Sequence, residues 1–185
     1  ATSGNLKSVI LDLLNNIPDN APFYPSFLYF WIKIFGSYNL ILRLPSVIFG
    51  LLSILLIYKI VKRMLGYKVG LMSSFIFSIN VLHVTFSQEA TPYSLLILLS
   101  LCSIFFLLNI IDQKKLINYF GYIFFTVLMI YTHYFAWFLI IFQNIFIFLL
   151  RKKLNGFIKN WISIQLVILA FFIPWTILLI INYDL

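Results

Sequence analysis

Apolar runs long enough to cross a bilayer recur along this 185-residue chain, parted mainly by short clusters of Lys and Arg. About 20 mostly apolar residues cover the roughly 30 Å of hydrocarbon in a membrane, and in that medium each run must satisfy its own backbone polar groups as a helix. The fold class expected is therefore all-α, a polytopic transmembrane helical protein. Composition excludes the other classes. The chain is 63% hydrophobic and 10% charged, with a mean hydropathy of +1.04, whereas soluble domains carry about a quarter charged residues. An aromatic share of 19% also excludes a disordered chain, which is poor in such residues.

Six spans are predicted, over residues 44–60, 69–86, 93–111, 116–131, 134–150 and 161–181. The apolar stretch 116–150 is too long for one span, so it is divided at its strongest polar break, Thr132 and His133, into a hairpin. Pro174 is expected to kink the last span.

Basic residues give the direction. Lys59, Lys62, Arg63, Lys68, Lys114, Lys115, Arg151, Lys152, Lys153 and Lys159 fall at one set of ends, leaving Lys7, Lys33 and Arg43 at the other. Positively charged loops stay cytoplasmic, so the first set is expected inside. Asp12, Asp19, Glu89 and Asp184 then face the exterior or lumen, with only Asp112 inside. The net charge of +8 is accounted for by this topology and by anionic lipid, and a nucleic-acid partner is not expected. Residues 1–43 form an outer segment ahead of the transmembrane domain, 44–185. Within it, Leu6, Val9, Ile10, Leu13 and Leu14 stand at helical spacing. Pro22 opens a second helix over 23–35, rich in interface-seeking aromatics and expected to lie along the outer membrane surface. With no initiator Met and no basic-then-apolar leader, the chain reads as a piece of a longer protein.

Outside the spans, the segment from His83 to Tyr93 holds Glu89, a carboxylate beside membrane and so a functional candidate by default. A hydrated turn is the structural alternative. His133, at the hairpin tip Tyr131-Thr-His-Tyr134, suits a phosphate contact or proton transfer; capping the turn with Thr132 is the simpler role. Asp19 suits a helix cap. Arg43 suits either headgroups or a bound phosphate. Cys102 lies within a span, and no second His or Cys stands at a metal-ligand interval from His133, so no zinc site is expected.

Four stretches, in order, resemble the membrane glycosyltransferases of the GT-C superfamily, in the family 39 branch of dolichyl-phosphate-mannose protein mannosyltransferases and bacterial lipid A-modifying relatives. They are Asn20-Ala-Pro-Phe-Tyr24 with Phe27-Leu-Tyr-Phe-Trp31 and Ile34-Phe-Gly36, Leu42-Arg-Leu-Pro-Ser46 with Phe49-Gly-Leu51, Ser87-Gln-Glu-Ala-Thr-Pro-Tyr93, and Tyr131-Thr-His-Tyr-Phe135. The resemblance covers about residues 1–150. It implies inverting transfer of a sugar from a polyprenyl-phosphate carrier to a lipid, glycan or protein acceptor on the non-cytoplasmic face of a cell or endoplasmic-reticulum-type membrane. It also implies that Glu89 is the catalytic carboxylate among the residues present, with Asp19, Tyr24, Arg43, Gln88, Tyr93 and His133 binding substrate. The family's main base precedes Ala1, and the need for a divalent metal is left open. The family's arginine after Gln-Glu-Ala is Thr91 here, and its His-Pro-Pro is Asn20-Ala21-Pro22, which leaves Arg43 and His133 as candidates for the donor phosphate. A transporter or flippase of lipid-linked intermediates, and an inactive scaffold, are the alternatives.

Overall fold

The computed structural model describes residues 21–152, 154 and 157–183. Among them every regular element is a helix: α1 Phe23–Phe35, α2 Asn39–Leu65, α3 Tyr67–Ser78, α4 Val81–Gln88, α5 Pro92–Asp112, α6 Leu116–Thr132, α7 Ala136–Leu149 and α8 Phe157–Tyr183. The chain is thus an all-helical polytopic membrane protein. Its polarity is inverted relative to a soluble fold. Leu51, Met72, Phe75, Phe138 and Phe142 are exposed, as lipid-facing residues are, while α2 buries Pro45, Ser46, Gly50, Ser53 and Ile60. Small residues on the inward face let backbones approach closely, which drives helix association where lipid is as apolar as Leu.

The spans differ from the predicted six in two ways. α2, α5 and α8 are each long and apolar enough to cross a membrane. The predicted span 69–86, by contrast, is broken: α3 and α4 meet at a bend of 58°. Asn80 is the cause, since its extended backbone ends one helix and its Oδ1 accepts the His83 backbone N–H (3.2 Å) to cap the next. The hairpin arms α6 and α7 have 17 and 14 residues, or about 26 and 21 Å at 1.5 Å per residue, less than a full hydrocarbon thickness. The last span runs as one helix through Pro174.

α5 is central, packing against α2, α4, α6 and α7, and α6 in turn packs against α8. Where these helices meet in mid-span, polar side chains bind them together. The Tyr122 hydroxyl donates to Gln143 Oε1 (2.8 Å), Gln143 Nε2 donates to Ser103 Oγ (3.0 Å), and Ser103 shares a hydrogen bond with Thr126 (2.9 Å). Trp161 Nε1 donates to Asn144 Oδ1 (2.8 Å), and Gln165 Nε2 reaches the Tyr122 oxygen (3.4 Å). At one end of the bundle Arg63 donates to Asn109, to the Leu108 carbonyl (2.8 Å) and to Asp112, with which it is ion-paired. A cation there offsets the partial negative charge of the α5 C-terminus. Gly66, at a φ of 91° that disfavours other residues, ends α2 and allows the hairpin into α3.

The helix predicted over 23–35 forms as α1, but it is tucked onto the bundle. Trp31 Nε1 donates to the Ile41 carbonyl (2.9 Å), Phe27 packs on Phe49 with ring centroids 5.7 Å apart, and Tyr24 is buried.

Candidate functional site

The end of the bundle opposite Arg63 carries the residues singled out for chemistry. α4 finishes at Gln88, and residues 89–91 lead into α5 with extended backbones at Glu89 and Thr91. Pro92 enforces this geometry: it excludes helical backbone at the residue before it and suits the first position of a helix, where no intrahelical N–H bond is lost. Gln88 and Glu89 are both exposed. Glu89 is therefore an exposed carboxylate just past the end of α4, able to accept hydrogen bonds.

Tyr93, in the first turn of α5, joins three elements. Its ring lies 4.8 Å from that of Phe86 on α4 and 5.4 Å from that of His133, at the end of α6. His133 in turn lies 4.7 Å from Phe135 and is buried. Its Nδ1 accepts the backbone N–H of Phe135 (3.1 Å), which fixes the neutral ring as the tautomer with its proton on Nε2. His133 itself thus organises the turn between α6 and α7. Thr132 has a separate task, donating back to the Leu128 carbonyl (2.7 Å). One ring nitrogen of His133 thus holds the turn.

Tyr24 approaches from α1. Burial raises its phenol above the ordinary value, partly offset by the nearby Ser46 hydroxyl, so it stays a neutral O–H donor across the physiological range. Arg43 is exposed on α2, three residues before Ser46. Spacing of i and i+3 puts the two on neighbouring positions of the helix surface. Among the described residues neither Arg43 nor Glu89 has a hydrogen bond or ion pair. Asp19 lies outside the described residues. The structure therefore links Gln88 and Glu89 to Tyr93 and His133 through the aromatic stack, and links Tyr24 to the helix of Arg43 through Ser46. No three His, Cys, Asp or Glu side chains gather among the described residues.

Sequence reasoning noted Thr91 only as a replacement of the family's arginine and Ser46 only within a motif, and passed over Ser94. Thr91 and Ser94 each have a buried hydroxyl without a hydrogen-bond partner, and the buried Ser46 hydroxyl lies beside that of Tyr24. The available signal was a set of hydroxyls at the mouths of otherwise apolar spans.

Comparison with known proteins follows the same residues. No curated protein and no solved structure matches the chain significantly. The family model described as dolichyl-phosphate-mannose-protein mannosyltransferase matches residues 19–178, which include every candidate site residue and nearly all of the helical bundle. On that match the chain belongs to the dolichyl-phosphate-mannose-protein mannosyltransferase family of membrane glycosyltransferases.

Proposed function

We propose that the protein moves a sugar from a polyprenyl-phosphate carrier to an acceptor on the non-cytoplasmic face of its membrane. The carrying observation is the Phe86–Tyr93–His133 stack, which holds the Gln88–Glu89 turn against the tip between α6 and α7 in a chain of a glycosyltransferase family. The acceptor oxygen attacks the anomeric carbon as the bond from that carbon to the carrier phosphate breaks. The acceptor proton passes to a carboxylate, and polyprenyl phosphate departs. Glu89 works beside the reacting sugar, where an exposed carboxylate can orient the acceptor hydroxyl or receive its proton. His133 with its Nε2–H, Arg43, Tyr24, Gln88 and Tyr93 bind the substrates, joined by Asp19 from the preceding segment. Cations and hydrogen-bond donors here favour the charge that develops on the leaving phosphate. The basic residues of the Arg63 end support a cytoplasmic location for that end, and hence an exterior or lumenal site.

The 58° break between α3 and α4 favours a second reading, a transporter or flippase, because broken helices build transporter sites. Such sites lie near the bilayer midplane, whereas Glu89, Arg43 and His133 gather at helix ends. The test is transfer of radiolabelled sugar from polyprenyl-phosphate sugars by the full-length protein in membranes, comparing wild type with Glu89→Gln at matched expression. Transfer by wild type and its loss in the mutant is the expected result. Equal transfer by both removes Glu89 from the site, and carrier movement without any transfer favours the transporter.

A further inference from the structure

A proline inside a span takes away one backbone hydrogen bond and crowds the turn before it; where such a helix persists in lipid, neighbouring groups make good the loss. α8 runs as one helix through Pro174, which has no N–H for the Ala170 carbonyl. Two hydrogen bonds brace this turn, both made with the turn between α6 and α7. On the near side of Pro174 the Tyr131 hydroxyl donates to the Phe171 carbonyl (2.8 Å). On the far side Trp175 Nε1 donates to the Tyr134 hydroxyl oxygen (3.3 Å). Rings fill the space around them. Tyr131 lies 5.9 Å from Phe172 and 6.3 Å from Trp175, and Trp137, in the first turn of α7, lies 5.2 Å from Phe172.

Register makes these contacts a single clamp. Phe171 and Trp175 are four residues apart, and so lie on one face of α8 with Pro174 between them in the chain. Tyr131 and Tyr134 flank Thr132 and His133. Each tyrosine therefore holds α8 on one side of Pro174, and His133 stands between the two holds. Before Pro174, α8 is fixed to the bundle by other means: Trp161 donates to Asn144, Gln165 reaches Tyr122, and Ile164 and Ile168 are buried. After Pro174, Trp175 is the one buried side chain among those described. Its bond to Tyr134 ties the outer end of α8 to the His133 turn.

Two further contacts act on His133, and both are local. Nδ1 accepts the Phe135 N–H (3.1 Å), which sets the ring within its own turn, and the Tyr93 ring lies 5.4 Å away on α5. The clamp is what holds the backbone on both sides of His133 against α8. A shift at the outer turn of α8 is passed to that backbone, and so to the place where His133 meets Tyr93.

We propose that Tyr131 and Trp175 are positioning residues for sugar transfer: by clamping the α6–α7 turn across Pro174, they set where His133 stands against Tyr93. The part they play in transfer rests on the function proposed above, and the clamp rests on the two hydrogen bonds.

Tyr131→Phe and Trp175→Phe keep an aromatic ring and remove the donor. Both are tested in the full-length protein in membranes, with radiolabelled polyprenyl-phosphate sugars as donors, by measuring kcat and donor KM. Each variant is expected to lower kcat by about tenfold, as a displacement of a fraction of an ångström does. Donor KM should stay at the wild-type value, because a misplaced hydrogen-bond donor costs most where charge develops on the leaving phosphate. In a His133→Gln background the same two substitutions should lower kcat no further. Wild-type kcat in both variants overturns the proposal. So does an equal fold loss with and without His133, which marks the clamp as support for the fold alone. Thermal unfolding in detergent tests the clamp apart from transfer. Trp175→Phe and Tyr134→Phe break the same bond, so their Tm losses should not add in the double variant, and additive losses overturn the clamp. A wild-type protein that transfers no sugar refutes the function proposed above, while non-additive Tm losses in the same protein leave the clamp standing.

Discussion

Gly50 is the point where α2 meets the helix that carries the Gln88–Glu89 turn. A methyl group on Gly50 would stand 3.0 Å from the Ser87 Cβ and 3.6 Å from the His83 Cε1, and would collide with the Ser87 Oγ. Carbon atoms prefer 3.5 to 4.0 Å, so α2 and α4 must part by about half an ångström in Gly50→Ala. Ser87 has little room to yield, because its Cβ is tied to the backbone and its hydroxyl is committed to the His83 carbonyl at 2.7 Å. Overpacking of this kind costs about 1–3 kcal/mol. The shift also passes along α4 to Glu89. A misplacement of about 1 Å costs catalysis about a hundredfold, so half of that predicts about a tenfold loss of sugar transfer with no candidate site residue altered. The assay is a double-mutant cycle with Ser87→Gly, read by Tm of the purified full-length protein and by transfer rate. Coupling of about 1 kcal/mol or more, with partial recovery of transfer in the double mutant, is expected for groups in contact. Wild-type Tm and transfer in Gly50→Ala, or strict additivity in the cycle, refutes the reasoning.

Gln143→Leu removes both the acceptor for Tyr122 and the donor to Ser103; at about 0.6 kcal/mol for each hydrogen bond between spans it should lower stability by about 1 kcal/mol, seen as a lower Tm in detergent. Arg63→Ala strips the α5 C-terminus of its cap and leaves Asp112 unpaired. Because the pair is partly exposed, the loss should be about 1 kcal/mol at low salt and smaller at high salt, measured by unfolding at two ionic strengths.

Much of this architecture was legible because hydropathy and charge are local properties of the chain. Apolar runs had to become helices, and the helix over 23–35, the break at Thr132–His133 and the last span form where pattern alone placed them. The bend at Asn80 was not legible from hydropathy, since 69–86 is apolar on both sides of one capping residue; only Asn80, whose side-chain oxygen accepts the His83 backbone N–H, distinguishes a broken span from a straight one. The candidate residues Glu89, His133 and Arg43 were visible as polar groups at span ends. Their linkage through Phe86 and Tyr93 was not, because it depends on the packing of α4, α5 and the α6–α7 turn. The unpaired hydroxyls were least visible of all: serine stands both at a satisfied helix interface, as Ser53, and at an unsatisfied one, as Ser94, and only the neighbours tell them apart.

Tyr24 separates stability from binding in a single substitution. Its hydroxyl is buried beside that of Ser46, and burial raises its pKa above the ordinary value of about 10. A phenol with a raised folded-state pKa contributes stability that is complete below the unfolded value and is lost as pH climbs past it, because the unfolded chain ionises first. Wild-type protein should therefore lose stability above about pH 10, and Tyr24→Phe should lack that component. Near neutral pH the same change removes a buried polar atom while keeping the ring in the core, so the unliganded Tm is expected to stay level or rise. If the hydroxyl is kept to meet a phosphate, decaprenyl phosphate binding should weaken in the same variant. A structural hydroxyl would move both quantities down, and an idle one would leave binding alone; a Tyr24→Phe protein with lower stability and unchanged binding removes Tyr24 from the site.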